Sequence, residues 1–146
     1  MRPIHVLLAD DDEDDRLFFT EAFEEIKIDT IIRTVNDGVE LMNHLNQENI
    51  QIPNILFLDL NMPRKTGIDC LLEIKQLPHL QDMAIVIYST SSSEKDIEDT
   101  FVQGANVYIK KPSDFNSLKK ILEDVITINW QYQTSGLNRD NFMLSL

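Results

Sequence analysis

Ile55-Leu56-Phe57-Leu58-Asp59-Leu60-Asn61-Met62-Pro63 is the stretch on which the reading of this chain turns. Four apolar residues run directly into a carboxylate, and a turn follows at once. Such a run, without polar alternation, fits a strand buried on both faces, as in parallel sheets covered by helices. Asp59 then stands where a central strand ends. In open α/β sheets, sites form outside the carboxyl ends of the strands. A charge there is unfavourable unless something offsets it. From this stretch alone a second reading stays open, an aspartate that only caps the following turn.

Outward from this strand the chain alternates between two kinds of apolar pattern. Ile4 to Ala9 reads as a first strand, and it ends in six consecutive acids, Asp10 to Asp15. Asp12 to Asp15 suit a helix N-terminus, where carboxylates are favoured. Phe18, Phe19, Ala22, Phe23 and Ile26 then recur at helical spacing. Thr30 to Val35 is rich in β-branched residues and reads as a second strand. Asn36-Asp37-Gly38 marks a turn, and Val39, Leu41, Met42 and Leu45 carry a second helix. Beyond Asp59, residues 61–67 form a loop by composition, followed by a helix on Ile68, Leu71, Leu72 and Ile74 that Pro78 closes. Residues 84–88 read as a buried strand ending in the hydroxyl cluster 89–93, one member of which suits a helix cap. Ile97, Phe101 and Val102 mark a fourth helix, ended by Gly104. Residues 106–109 form a fifth strand that runs into Lys110-Lys111-Pro112, and the last helix holds Phe115, Leu118, Leu122 and Val125. Five strand–helix units with short connections predict an α/β fold. Its core is a doubly wound, five-stranded parallel sheet with helices on both faces and right-handed crossovers. Residues 1–129 form the domain, and residues 130–146 are a tail to which the sequence assigns no order, open to docking through Phe142 or to use by a partner.

The bulk numbers bound the function. A chain of 146 residues suits one domain with a sizeable core, and 42% hydrophobic residues suit a globular one. Thirteen Lys and Arg against 25 Asp and Glu give a formal net charge of −12, which disfavours direct binding to nucleic acid or anionic membrane. The single cysteine, Cys70, excludes an internal disulfide, and its apolar neighbours give it a packing role. No signal peptide or apolar run near 18 residues is evident, so the expectation is a soluble cytoplasmic protein.

In a parallel sheet the carboxyl ends of all strands share one edge. That edge collects Asp10, Asp11, Asp59, Ser89 and Lys111. Clustered carboxylates repel one another, and a hard, oxygen-loving cation relieves them; Mg²⁺ suits one or two carboxylates with phosphate oxygens and water. Asp59 can then act as a nucleophile toward phosphorus. Phosphoryl transfer depends mainly on positioning and charge stabilisation, which Lys111, the metal and the Ser89 hydroxyl can supply. Taken singly, Lys111 also reads as a solvated surface lysine and Ser89 as a helix cap. His5 has no partner at metal-ligand spacing and reads as structural.

Four pieces together carry a family resemblance: Leu7-Leu8-Ala9-Asp10-Asp11, Leu58-Asp59-Leu60-Asn61-Met62-Pro63, Tyr88-Ser89-Thr90 and Tyr108-Ile109-Lys110-Lys111-Pro112. The chain resembles a single-domain receiver of two-component signalling, like the chemotaxis response regulator, over residues 4–129. The resemblance implies a flavodoxin-like sheet of order 2-1-3-4-5. It implies that Asp59 is the phosphoacceptor, Asp11 a direct metal ligand, Asp10 a ligand through water, and the Asn61 backbone carbonyl the last protein ligand of Mg²⁺. Ser89 and Lys111 take the family's hydroxyl and lysine places. Ser89 and Tyr108 are the switch pair, the ring turning inward in the active form, and the Lys111–Pro112 bond is expected to be cis. Strand alternation sends Lys110 to the other side. The phosphodonor is a sensor histidine kinase or a histidine phosphotransfer protein, and the output is contact with a downstream protein. The chain is not expected to be an enzyme beyond self-phosphorylation from a donor and slow autodephosphorylation.

Three rivals are weighed by single residues. An aspartyl-nucleophile Mg²⁺ phosphatase of the haloacid dehalogenase type needs a second acid two residues after the first, and here Asn61 occupies that place. A flavodoxin-like FMN protein needs a phosphate-cradling loop after strand one, where this chain has acids. An unphosphorylated docking receiver does not need the complete set of acids, hydroxyl and lysine.

Overall fold

The computed structural model describes residues 3–132 and 143–144. The chain alternates β1 (Ile4–Ala9), α1 (Glu13–Glu24), β2 (Thr30–Val35), α2 (Gly38–Leu45), β3 (Ile55–Leu58), α3 (Gly67–Lys75), β4 (Ala84–Ser89), α4 (Glu94–Val102), β5 (Val107–Lys110) and α5 (Phe115–Tyr132). A single 3₁₀ turn, Pro78–Leu80, lies between α3 and β4. All strand pairs are parallel, and the first five strands lie in the order β2-β1-β3-β4-β5.

Two features differ from the sequence reading. A sixth strand, β6 (Met143–Leu144), pairs in parallel with β5, placing Tyr108 opposite Met143 and Ile109 opposite Leu144. Two residues bonded through the backbone leave no apolar period to read, so the sheet has one strand more than expected. The last helix also runs on to Tyr132. The docking expected of Phe142 lies outside the described residues.

The inner strands bury both faces because their side chains alternate between two cores. Leu7, Ala9, Leu56, Leu58, Ile85 and Ile87 pack on one side with Leu41, Met42 and Leu45 of α2, Cys70, Leu71 and Ile74 of α3, and Ile97 of α4. Val6, Leu8, Ile55, Phe57, Val86 and Ile109 pack on the other side with Phe19, Ala22 and Phe23 of α1 and Leu118, Ile121, Leu122 and Val125 of α5. Phe19 sits at the centre of the second core, its ring 5.0 Å from both Phe23 and Phe57 and 5.6 Å from Tyr88. Among the described residues, no helix is long and apolar enough to cross a membrane.

Register and caps aim the strand ends. Ala9 stands opposite both Val35 and Leu58, so β1 and β3 stop at one level. The helices that follow start on side-chain caps: Asp12 accepts from the Asp15 N–H, Asp37 from Glu40, Thr66 from Asp69 and Ser93 from Asp96. Each such cap is worth about 1 kcal/mol.

Candidate functional site

Backbone bonds of the sheet fix the first residues of the site. The Asp59 N–H donates to the Ala9 carbonyl at 3.0 Å, and the Asp10 N–H to the Val35 carbonyl at 3.1 Å. These bonds extend the ladders one residue past the strands and set Asp10 and Asp59 side by side. On the next strands, the Lys111 N–H donates to the Ser89 carbonyl at 2.8 Å. The loop after β3 folds back at Gly67, whose N–H donates to the Leu60 carbonyl at 2.9 Å.

Asp10, Asp11 and Asp59 present carboxylate oxygens that lie within 4.8 Å of one another. Asp10 and Asp59 are buried and Asp11 is exposed, so the cluster opens to solvent on one side. The Lys111 ammonium closes it on the other. Its Nζ lies 2.8 Å from Asp10 Oδ2, 2.9 Å from Asp15 Oδ2 and 3.6 Å from Asp59 Oδ2, with 9% of the side chain exposed. It also stands 5.2 Å from the centroid of the Tyr88 ring. The approach to Asp10 is an ion pair without hydrogen-bond alignment, for Asp10 Oδ2 is fully buried and has no hydrogen-bond partner. The other Asp10 oxygen accepts from the Asp12 N–H at 3.0 Å.

Burial raises the pKa of both inner carboxyls. Burial pushes Asp59 up to about 6, opposed by Lys111 and reinforced by the negative charges of Asp10 and Asp11. Asp10 is raised by burial too, against the pull of Lys111. Burial works against the Lys111 charge, but Asp10, Asp15 and Asp59 outweigh it and hold the ammonium above the ordinary lysine range. The site thus holds more negative charge than its one lysine balances. It also contains a buried oxygen, Asp10 Oδ2, that no aligned hydrogen bond satisfies. A hard divalent cation answers both needs, and the three carboxylates are the residues that could hold it. Asn61 lies beside them, its side chain exposed and its N–H directed at Asp59 Oδ1 at 3.4 Å. Lys110 is exposed, as alternation along β5 requires.

Ser89 and Tyr108 meet at the same edge. Ser89 Oγ accepts from the Ser91 N–H at 3.1 Å, and the Tyr108 hydroxyl donates to the Ser91 carbonyl at 2.8 Å. The Tyr108 hydroxyl is also hydrogen-bonded to the Ser89 side chain. Since the one phenolic proton is used on Ser91, Ser89 is the donor in that contact. The three residues close a ring of hydrogen bonds. Tyr108 is therefore already inside, with 0% exposure. The ring of hydrogen bonds satisfies its hydroxyl within the core. The expected cis Lys111–Pro112 bond is corrected, as no cis peptide occurs among the described residues. Trans is the lower-energy isomer before proline.

Sequence reasoning missed two sets of contacts. The sequence reading gives Asp15 only to the helix start, yet it reaches Lys111. The signal was its place one turn beyond Asp11 and Asp12, which returns it to the same side of the helix. Arg64 adopts a left-handed φ of 66° and donates to Asp37 Oδ2 at 3.1 Å, tying the loop after Asp59 to the cap of α2. A contact across 27 residues leaves no local signal.

The response regulator receiver domain family matches this chain over residues 6–123. The chain is 32% identical over 127 residues to response regulator Rcp1 of Synechocystis, covering 84% of this chain and 86% of that protein. It is 30% identical to the rice two-component response regulator ORR13, covering 81% of this chain and 94% of that one. Among solved structures it resembles the phosphorylated cyanobacterial phytochrome response regulator RcpA, with a TM-score of 0.79, 31% identity, and coverage of 93% and 98% of the two chains. The Mn²⁺-bound form of Rcp1 is similar as well, with a TM-score of 0.78, 31% identity, and coverage of 93% and 99%. A sheet of order 2-1-3-4-5, an acidic cluster at its carboxyl edge, and these matches lead to one conclusion: the chain belongs to the response regulator receiver domain family.

Proposed function

We propose that this protein is a phosphorylatable switch of two-component signalling, with Asp59 as its phosphoacceptor. The observation that carries the reading is the meeting of Asp10, Asp11, Asp59 and the nearly buried Lys111 ammonium in one crevice. The donor is a phosphohistidine on a sensor kinase or a histidine phosphotransfer protein. Two of the similar solved structures are phytochrome response regulators, which makes a phytochrome-type kinase the first donor to test. Mg²⁺, held by Asp10, Asp11, Asp59 and the Asn61 carbonyl, would supply positive charge to the carboxylates and to the phosphoryl oxygens.

In the transfer, an Asp59 carboxylate oxygen bonds to phosphorus as the histidine nitrogen–phosphorus bond breaks. The imidazole keeps the electron pair and takes a proton from solvent. Lys111 neutralises phosphoryl oxygen charge, so positioning and electrostatics do most of the work. Ser89 donates a hydrogen bond to a phosphoryl oxygen, which requires its proton to leave Tyr108. Breaking the Ser89–Ser91–Tyr108 ring shifts the loop after β4 and the face made by α4, β5 and α5. The phosphoryl group need only favour one of two existing arrangements. The output is contact with a protein in the cytoplasm, and the chain catalyses only its own phosphorylation and slow dephosphorylation.

The test is incubation with acetyl phosphate and Mg²⁺, followed by intact mass. One phosphoryl adduct is expected, lost in Asp59→Asn and absent when the metal is chelated. An adduct that persists in Asp59→Asn, or no adduct from a folded sample, overturns the reading.

A further inference from the structure

Lys111 carries three protons and is surrounded by three carboxylates, which do not hold it equally. Asp10 is the nearest at 2.8 Å and wholly buried, and Asp59 is the farthest at 3.6 Å. Asp15 accepts a hydrogen bond from the Lys111 ammonium at 2.9 Å, on the exposed side, away from the buried Asp10 contact. Asp15 is outside the group of carboxylates that could share a cation. It sits in the first turn of α1, its own N–H bound to the Asp12 cap, so the backbone fixes its position. Its side chain is 39% exposed.

We propose that Asp15 is a positioning residue that tethers Lys111 away from Asp59 and competes with the phosphoryl group for the ammonium. This deepens the phosphoacceptor reading and rests on it. Before transfer the tether holds the ammonium at the crevice wall. After transfer the phosphoryl oxygens must take the ammonium from Asp15, so Asp15 weakens the phosphorylated arrangement. A carboxylate at this position thereby sets how strongly the switch holds its on state.

The experiment is a double-mutant cycle with Asp15→Asn and Lys111→Met, each variant checked for an unchanged thermal midpoint. It reads affinity for beryllofluoride, a phosphoryl mimic, at saturating Mg²⁺. Asp15→Asn is expected to tighten binding about fivefold, the scale of a half-exposed charge-assisted contact. The same substitution in the Lys111→Met background should change nothing. Asp15→Glu should return affinity toward that of the unaltered protein. A second readout uses the metal-free protein: the slowly exchanging Lys111 ammonium signal in nitrogen-15 NMR should be present and should vanish in Asp15→Asn. Equal affinity in Asp15→Asn and the unaltered protein, or a gain that survives in Lys111→Met, overturns the proposal. Failure of the unaltered protein to bind beryllofluoride sinks the phosphoacceptor reading instead. In that case the ammonium signal alone decides the tether.

Discussion

Asp59 stands between two opposed influences: burial, which favours its neutral form, and the Lys111 ammonium, which favours its charged form. Burial wins in the metal-free chain and pushes the carboxyl up to about 6. The folded chain then holds a proton that the unfolded chain releases, because an unperturbed aspartate titrates near ~4. Between those two values the native state binds more protons, so stability falls as pH rises and is regained as pH is lowered. Asp10, raised in the same direction, adds to this trend. Metal-free protein should therefore show a higher urea midpoint at pH 5 than at pH 7, and the slope should flatten in Asp59→Asn. Saturating Mg²⁺ should flatten it too, since a bound cation favours the charged carboxylate. A slope unchanged by Asp59→Asn would assign the trend to other acids. Position and residue type made Asp59, Asp10, Asp11 and Lys111 legible at this scale. Asp15 and the Ser89–Tyr108 contact were not, because which oxygen a flexible side chain reaches is settled only by its surroundings.

At the scale of elements, the start of α3 is joined tightly to the end of β3. A Cβ on Gly67 would lie 2.2 Å from the Asp59 carbonyl oxygen and 2.7 Å from Leu60 Cα. Both are backbone atoms of the strand end that carries the phosphoacceptor, so neither can give way cheaply. Gly67→Ala should destabilise the fold by about 1–3 kcal/mol in urea unfolding, as overpacking does. It should also weaken Mg²⁺ binding, because the strain falls on Asp59. Gly104 is a useful contrast: its φ of 94° favours glycine, but the nearest atoms to an added Cβ belong to the flexible Lys75 side chain. Gly104→Ala should lower stability and leave Mg²⁺ affinity unchanged. The five strands and five helices were readable because each carries its own apolar period and most have a turn or cap residue at the boundary. β6 was not readable, for its two residues are placed by backbone pairing with β5.

Across the whole molecule, alternation along the strands builds two cores, and Cys70 is fully buried in the one that α2, α3 and α4 cover. Its thiol donates to the Gly38 carbonyl at 3.6 Å, and burial pushes its pKa up to about 12. The thiolate needed for alkylation is therefore scarce and shielded in the native state. Iodoacetamide labelling at pH 8 should be slow without denaturant and should rise in step with loss of helical circular dichroism in urea. Labelling that is fast under native conditions would show that this core opens on its own. The layer order and the sharing of one edge by Asp10, Asp59 and Lys111 followed from the strand–helix alternation, because parallel crossovers fix them. The tail did not follow, since no periodic pattern ties it to the sheet. That tail has a consequence for how the molecule meets its own copies. With β6 laid along β5, one border of the sheet is a strand of two residues, too short to template another molecule, and the six-residue β2 is the border open to backbone zippering. There the outward Ile31 is an adhesive spot, and the charged Arg33 two residues on acts as a gatekeeper against aggregation.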